Sequence, residues 1–147
     1  MTIHLLDTNI LSDIIRYPLG KAADRLEMEG DRALTSVIVA GELRYGVERR
    51  GGADLRARVE GALNRIPVMP LGDEVSMYYA RVRADLERRG LPIGGNDLLI
   101  AAHALSLGAT LVTDNLREFT RVEGLAVENW LRDDHAESPS RRRPKPI

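Results

Sequence analysis

The 147-residue chain carries 21 Lys+Arg against 22 Asp+Glu, no Cys and 44% hydrophobic residues, a length that fits one domain with its own core. The absence of Cys excludes a disulfide scaffold, a thiolate zinc site and thiol catalysis. The net charge of −1 conceals a body of −4 over residues 1–134 and a tail of +3 that holds Arg141, Arg142, Arg143 and Lys145.

In chain order, the apolar run over 3–6 reads as a buried strand that ends at Asp7-Thr8-Asn9, a helix-capping sequence. Ile10, Leu11, Ile14 and Ile15 follow at helical spacing until Tyr17-Pro18-Leu19-Gly20 interrupts them, and a second helix is expected over 22–28. Residues 33–35 form a short strand, and Ser36 can cap a helix that runs through Glu42, Leu43 and Val47 to the Arg49-Arg50-Gly51-Gly52 stop. Another helix covers 53–64, and residues 66–70 read as a short strand bounded by prolines. A long helix over 73–89 is apolar at Val75, Tyr78, Tyr79, Val82 and Leu86. After the loop with Gly90, Pro92, Gly94 and Gly95, Asn96 or Asp97 caps a helix over 98–107, with Gly108 as its C′ residue. Strands at 109–113 and 126–128 complete the set, and Trp130 follows the last one. Short buried strands alternating with helices predict an α/β fold, a parallel sheet with helices on both faces. The domain is expected over 1–132, with a flexible basic tail over 133–147. The longest weakly polar stretch, 98–112, is broken by His103 and Ser106 and is too short to span a bilayer. The start lacks the basic-then-apolar pattern of a signal peptide. A soluble cytoplasmic protein is therefore expected.

In open parallel sheets, ligands bind beyond the carboxyl ends of the strands. Two strands end there in an acid, Asp7 and Asp114; Asp97 opens a helix after a glycine-rich loop. Taken singly, Asp7 and Asp97 also fit helix caps, and Asp114-Asn115 fits an ordinary turn. Glu42 is different, because its helical neighbours Ile38, Val39, Tyr45 and Gly46 set it on an apolar stripe, where a carboxylate needs a partner or a shifted pKa. If the sheet closes as read, the four acids converge on one rim, where like charges demand a neutralising cation. Oxygen-only ligands suit Mg²⁺ or Mn²⁺. Thr8, Asn9, Ser36, Thr113 and Asn115 add short hydroxyl and amide groups around these acids; each also fits a cap or turn.

The runs Leu6-Asp7-Thr8-Asn9-Ile10-Leu11, Ser36 through Glu42-Leu43 to Gly46, Gly95-Asn96-Asp97-Leu98-Leu99-Ile100-Ala101-Ala102 and Leu111-Val112-Thr113-Asp114-Asn115 with Arg117-Glu118-Phe119 occur in order across residues 3–131. Together they closely resemble PIN-domain ribonucleases, and among them the VapC toxins of type II toxin–antitoxin modules. The resemblance implies a PIN-like three-layer α/β/α fold and a Mg²⁺- or Mn²⁺-dependent endoribonuclease acting on structured RNA such as tRNA or rRNA. It further implies a homodimer held inactive by a small VapB-like antitoxin, with operator DNA reached only through that antitoxin. Asp7, Glu42 and Asp97 match the family's three firmest acids, and Asp114 a fourth position that is often Asn. The tail beyond Asp133 has no counterpart in the family core; it can contact RNA phosphates or stay solvated.

The remaining chemistry-bearing residues read as structural. Glu118, one turn beyond Asp114, can assist the acids but is expected on the surface; His4 is expected packed in the first strand, and His103 off the face of Asp97. Trp130, Tyr78 and Tyr79 read as core or dimer contacts ahead of base-stacking platforms. The pairs Arg49/Arg50 and Arg88/Arg89 suit helix ends and can equally flank an RNA groove. A phosphoacceptor receiver domain fails for want of an acidic pair after the first strand and a lysine at a later one. A non-catalytic nucleic-acid- or antitoxin-binding module, acting as a co-repressor, fits the surface features but leaves Glu42 unexplained.

Overall fold

A computed structural model describes residues 1–132; the expected basic tail, 133–147, lies outside the described residues. The apolar runs become five short parallel strands, β1 (His4–Leu6), β2 (Ala33–Ser36), β3 (Val68–Met69), β4 (Thr110–Val112) and β5 (Val127–Glu128). They lie in the order β3-β2-β1-β4-β5. Leu5 faces Leu34 on one side and Leu111 on the other, and Leu5, Leu6, Leu111 and Val112 are fully buried. Strands covered on both faces are apolar without alternation, which is why they were legible as unbroken runs.

The helices α1 (Thr8–Arg16), α2 (Lys21–Glu29), α3 (Val37–Arg50), α4 (Ala53–Arg65), α5 (Glu74–Arg88), α6 (Gly95–Leu107) and α7 (Leu116–Phe119) connect and cover the sheet. Ile10, Leu11 and Ile14 of α1 and Val39, Leu43 and Val47 of α3 join one core with Leu63, Leu86, Ile100 and Phe119. α6 is buried at Leu98, Ile100, Ala101, Ala102, His103 and Ala104, a helix apolar around most of its circumference because neighbours enclose it. It ends as expected. Gly108 has φ 62°, its N–H donates to Leu105 O and that of Ala109 to Ala104 O, the paired bonds of a Schellman stop.

Three details depart from the sequence reading. α6 starts at Gly95 rather than at Leu98, because Gly94 takes the cap position and its carbonyl accepts the Leu98 N–H at 2.9 Å; Asn96 and Asp97 therefore lie inside the first turn and are not caps. A 3₁₀ turn over Gly30–Arg32 and the four-residue α7 also appear, both too short to leave a hydrophobic period. No helix among the described residues is long and apolar enough to cross a membrane.

Strand order reverses at β1, with β2 and β3 to one side and β4 and β5 to the other. The loops that leave β1 and β4 therefore diverge and open a crevice at their carboxyl ends.

Candidate active site

Asp7 stands where β1 becomes α1, and it is both cap and crevice residue. Its Oδ1 accepts the Thr8 N–H at 2.8 Å; its Oδ2 accepts the Thr113 hydroxyl at 2.7 Å and, more weakly, the Asn9 amide at 3.4 Å. Only 4% of the residue is exposed. Burial pushes its carboxyl up to about 6, helped by the charge of Glu42 and opposed by the bonds from Thr113, Thr8 and Asn9.

Glu42 reaches the same place from α3, where its Oε1 accepts the Thr8 hydroxyl at 2.8 Å. Asp97 arrives from the first turn of α6. Its carboxyl is pushed up to about 7, first by burial, then by a hydrogen bond shared with Glu118 and by the charges of Asp7, Glu118 and Glu42. These acids thus feel one another across the crevice, as the sequence reading expected.

The fourth acid differs. Asp114 follows β4, but its N–H donates to Asn9 Oδ1 at 3.0 Å, and its carboxylate turns to the Asn129 amide at 3.0 Å and to the Arg132 guanidinium at 3.6 Å. It acts on Asp13, whose carboxyl is raised by burial and then by Asp114. Asp114 thus stands at the edge of the crevice, its backbone joined through Asn9 to Asp7 and its carboxylate turned toward Asn129 and Arg132. Glu118, expected on the surface, is partly buried beside Asp97. One helical turn separates Glu118 from Asn115, whose amide donates to Glu118 Oε2 at 3.3 Å and leans toward Asp97 Oδ2 at 3.5 Å. The bias of α7 toward the crevice was the missed signal, and four residues are too few to show it.

The short polar residues tie the two sides together. Asn9 spans β1 and β4, touching Asp7, Thr113 and the backbone of Asp114. The Thr113 hydroxyl gives its proton to Asp7 and accepts the Asn115 N–H at 3.0 Å. Ser36 is the exception. It caps α3 through the Ile38 N–H and pairs with His103 Nδ1 at 2.8 Å, so it locks α3 to α6 rather than contacting an acid. His103 lies off the face of Asp97, as expected, and burial lowers its pKa. His4 is buried as expected, with Glu128 3.1 Å from its Nε2 and Trp130 packed on its ring.

None of Asp7, Glu42, Asp97 and Glu118 forms an ion pair with a basic side chain among the described residues. Asp7 and Asp97, held up first by burial and then by neighbouring carboxylates, with oxygen donors only around them, fit a hard divalent cation. Among the described residues no three carboxylates stand ready to enclose an ion unaided.

A family model described as the PIN domain matches residues 4–125. The chain is 37% identical over 131 residues to Ribonuclease VapC2 of Rickettsia felis, covering 87% of this chain and 98% of that one. It is 35% identical over 127 residues to the tRNA(fMet)-specific endonuclease VapC of Salmonella typhimurium, covering 86% and 96%. Among solved structures, VapBC2 from Rickettsia felis bound to a promoter DNA fragment superposes with TM-score 0.82 at 36% identity, over 88% of this chain and 99% of that one. VapBC from Salmonella typhimurium, also bound to DNA, gives the same score and identity. With the crevice, its carboxylates and these matches in hand, the chain belongs to the PIN-domain family and, within it, to the VapC ribonucleases.

Proposed function

We propose that this chain is the toxin of a toxin–antitoxin module, an endoribonuclease that hydrolyses phosphodiester bonds of structured RNA with Mg²⁺ or Mn²⁺. The observation that carries the reading is the crevice itself. Asp7 and Asp97 are held above the usual carboxylate range with no basic partner, an arrangement that costs stability unless a cation completes it. Asp7, Glu42, Asp97 and Glu118 are assigned as the groups that hold the metal, some of them through water. Asp114, which faces Asn129 and Arg132, is assigned to fixing the loop after β4. When bound, the metal would orient a water against the scissile phosphate and offset charge that grows on its oxygens. The chain's own part is to keep these oxygens in place. Thr8 fixes Glu42, Thr113 and Asn9 fix Asp7, and Asn115 fixes the Asp97–Glu118 pair, an outer layer of the kind that sets metal affinity.

The relatives' names support RNA as substrate, tRNA in the Salmonella case. The superposable structures are VapBC complexes on DNA, a promoter fragment in the Rickettsia case, which supports a VapB-like antitoxin as partner and operator contact through it. A homodimer and a cytoplasmic site of action complete the proposal.

The test is cleavage of total bacterial RNA by the purified protein, with Mg²⁺ or Mn²⁺ against EDTA, beside Asp7→Asn. Discrete fragments are expected only from the wild type with metal. Equal cleavage in EDTA, or full cleavage by a folded Asp7→Asn, would overturn the proposal.

A further inference from the structure

We infer that Tyr45 is a stacking platform for a nucleobase that flanks the scissile phosphate, and that the open helix surface at Gly41 makes room for that base. This inference rests on the nuclease reading above and adds a residue that positions the substrate.

The aromatic side chains divide by their surroundings. Phe119 is fully buried, and Trp130 is buried against the His4 ring with the Arg25 guanidinium over it. The guanidinium of Arg81 lies over Tyr78, and that of Arg83 lies over Tyr79 and donates to its hydroxyl. Tyr17 is exposed but closes α1, roughly 15 Å of helix rise beyond Asp7. Tyr45 is 65% exposed and has no hydrogen bond or ring contact among the described residues.

The helix that carries Tyr45 also carries a crevice acid. Glu42 lies three residues earlier on α3, so the two share one face, with Cβ atoms about 5 to 6 Å apart. Glu42 in turn is fixed in the crevice by the Thr8 hydroxyl. Helical side chains lean toward the amino end of their helix, which for Tyr45 is the direction of Glu42. Tyr45 thus stands one turn from a carboxylate assigned to the metal.

The same face is open. Gly41 lies one turn before Tyr45, and a Cβ added there meets no atom within 4 Å, so neither the Tyr45 ring nor a neighbouring element covers it. Val37, one turn earlier still, is also exposed. Glycine inside a helix sacrifices stability, and no neighbour within that distance requires it here. Gly61 on α4 is equally open, but Asn64 and Arg65 follow it at helical spacing, with no ring and no crevice acid on that face. The strip from Val37 through Gly41 to Tyr45 therefore lies uncovered beside Glu42. A phosphate drawn onto a metal in the crevice brings its adjoining nucleosides to this strip. A base turned out of its stack there gains the face of an aromatic ring, the usual partner of unpaired RNA bases. Every base has a π-face, so the platform contributes affinity and placement with little choice of sequence.

The experiment measures the affinity of the full-length chain for labelled bulk bacterial tRNA in Mg²⁺, with cleavage silenced by Asp7→Asn in the parent and in every variant. Tyr45→Ala should raise Kd about tenfold, the order of one stacked base. Tyr45→Phe should stay within about twofold of the parent, because stacking uses the ring and not the hydroxyl. The slope of log Kd against log KCl should not change in either, since a stacked base releases no counterions. Gly41→Leu should bind as weakly as Tyr45→Ala while melting no lower than the parent, because its side chain fills the space beside the ring and leucine favours a helix. Tyr45→Trp should lose emission when tRNA is added, against a parent whose one tryptophan, Trp130, is buried. Parent affinity in Tyr45→Ala or Gly41→Leu, a loss in Tyr45→Phe equal to that in Tyr45→Ala, or no tRNA binding by the parent overturns the inference. A loss accompanied by a smaller mass on size-exclusion chromatography overturns it too, since the ring would then join two protein chains. Tyr45-dependent tRNA binding by a chain that, with Asp7 restored, cuts no RNA with metal overturns the nuclease reading instead.

Discussion

Asp7 uses one oxygen to start α1 and the other to anchor Thr113, and burial keeps its carboxyl near 6. Because the folded value is raised above that of the unfolded chain, the folded protein holds more protons in the window between them. Stability from this group is complete below about pH 4 and is lost as pH rises through 6, while Asp97 loses its share through 7. For Asp7 the loss amounts to about 3 kcal/mol. Metal-free protein should therefore melt several degrees lower at pH 8 than at pH 5.5, and Mg²⁺ should restore more of the melting temperature at pH 8, since deprotonated carboxylates bind the ion; calorimetry in EDTA and in Mg²⁺ at both values checks this. Replacing Glu118 with Gln is expected to lower metal affinity and cleavage at least tenfold, whereas Asp114→Asn, on the flank with Asn129 and Arg132, should cost less than that. Equal losses in single-turnover assays would return Asp114 to the metal site. The residues that the sequence made legible were those at ends of apolar runs, Asp7 above all, and Glu42, whose neighbours were apolar. Glu118 was hidden by its setting, since its role depends on Asn115 bridging to an acid 18 residues before it. The turn of Asp114 toward Asn129 depends likewise on a partner 15 residues away.

At the scale of the element, α6 shows how caps and site divide one helix. Its glycine start delivers Asp97 in the first turn, where the positive end of the dipole partly offsets the cost of a buried carboxylate, and its glycine stop lies eleven residues away. Gly108→Ala meets no atom within 4 Å, so its cost comes from the left-handed backbone alone, about 1 kcal/mol. That variant should unfold at lower urea while its kcat stays at the wild-type value. The strands and long helices were readable because burial on one or both faces imposes a period. The start of α6 was misread because Asn96 and Asp97 look like caps, whereas Gly94, in an ordinary extended conformation (φ −59°, ψ 154°), holds the cap position one residue before the helix begins. Thr113→Val probes the join between elements. It preserves volume but removes the hydroxyl that Asp7 accepts, and it should lower cleavage by about 10- to 100-fold, more than it lowers stability, as paired activity and melting measurements would show.

For the whole molecule, the sheet acts as the frame on which separate segments meet. Leu111 is fully buried at the strand that joins β1 to β5, and Leu111→Ala should cost about 2 to 5 kcal/mol, read as a lower urea midpoint with an unchanged slope. The parallel order was predictable in kind from alternating strands and helices. The position of the reversal, and hence of the crevice, was not, because strand order follows from how the layers close rather than from any local run.

Neighbouring strands β1 and β4 are separated by more than a hundred residues of chain, and that separation has a temporal consequence. Synthesis runs from the amino end, so the ribosome makes Asp7 first and Glu118 long afterwards, and a central strand waits for its partner until most of the polypeptide exists. A half-made chain holds scattered acids and no assembled crevice. The crevice therefore assembles only when the last strands dock, after most of the polypeptide has been made.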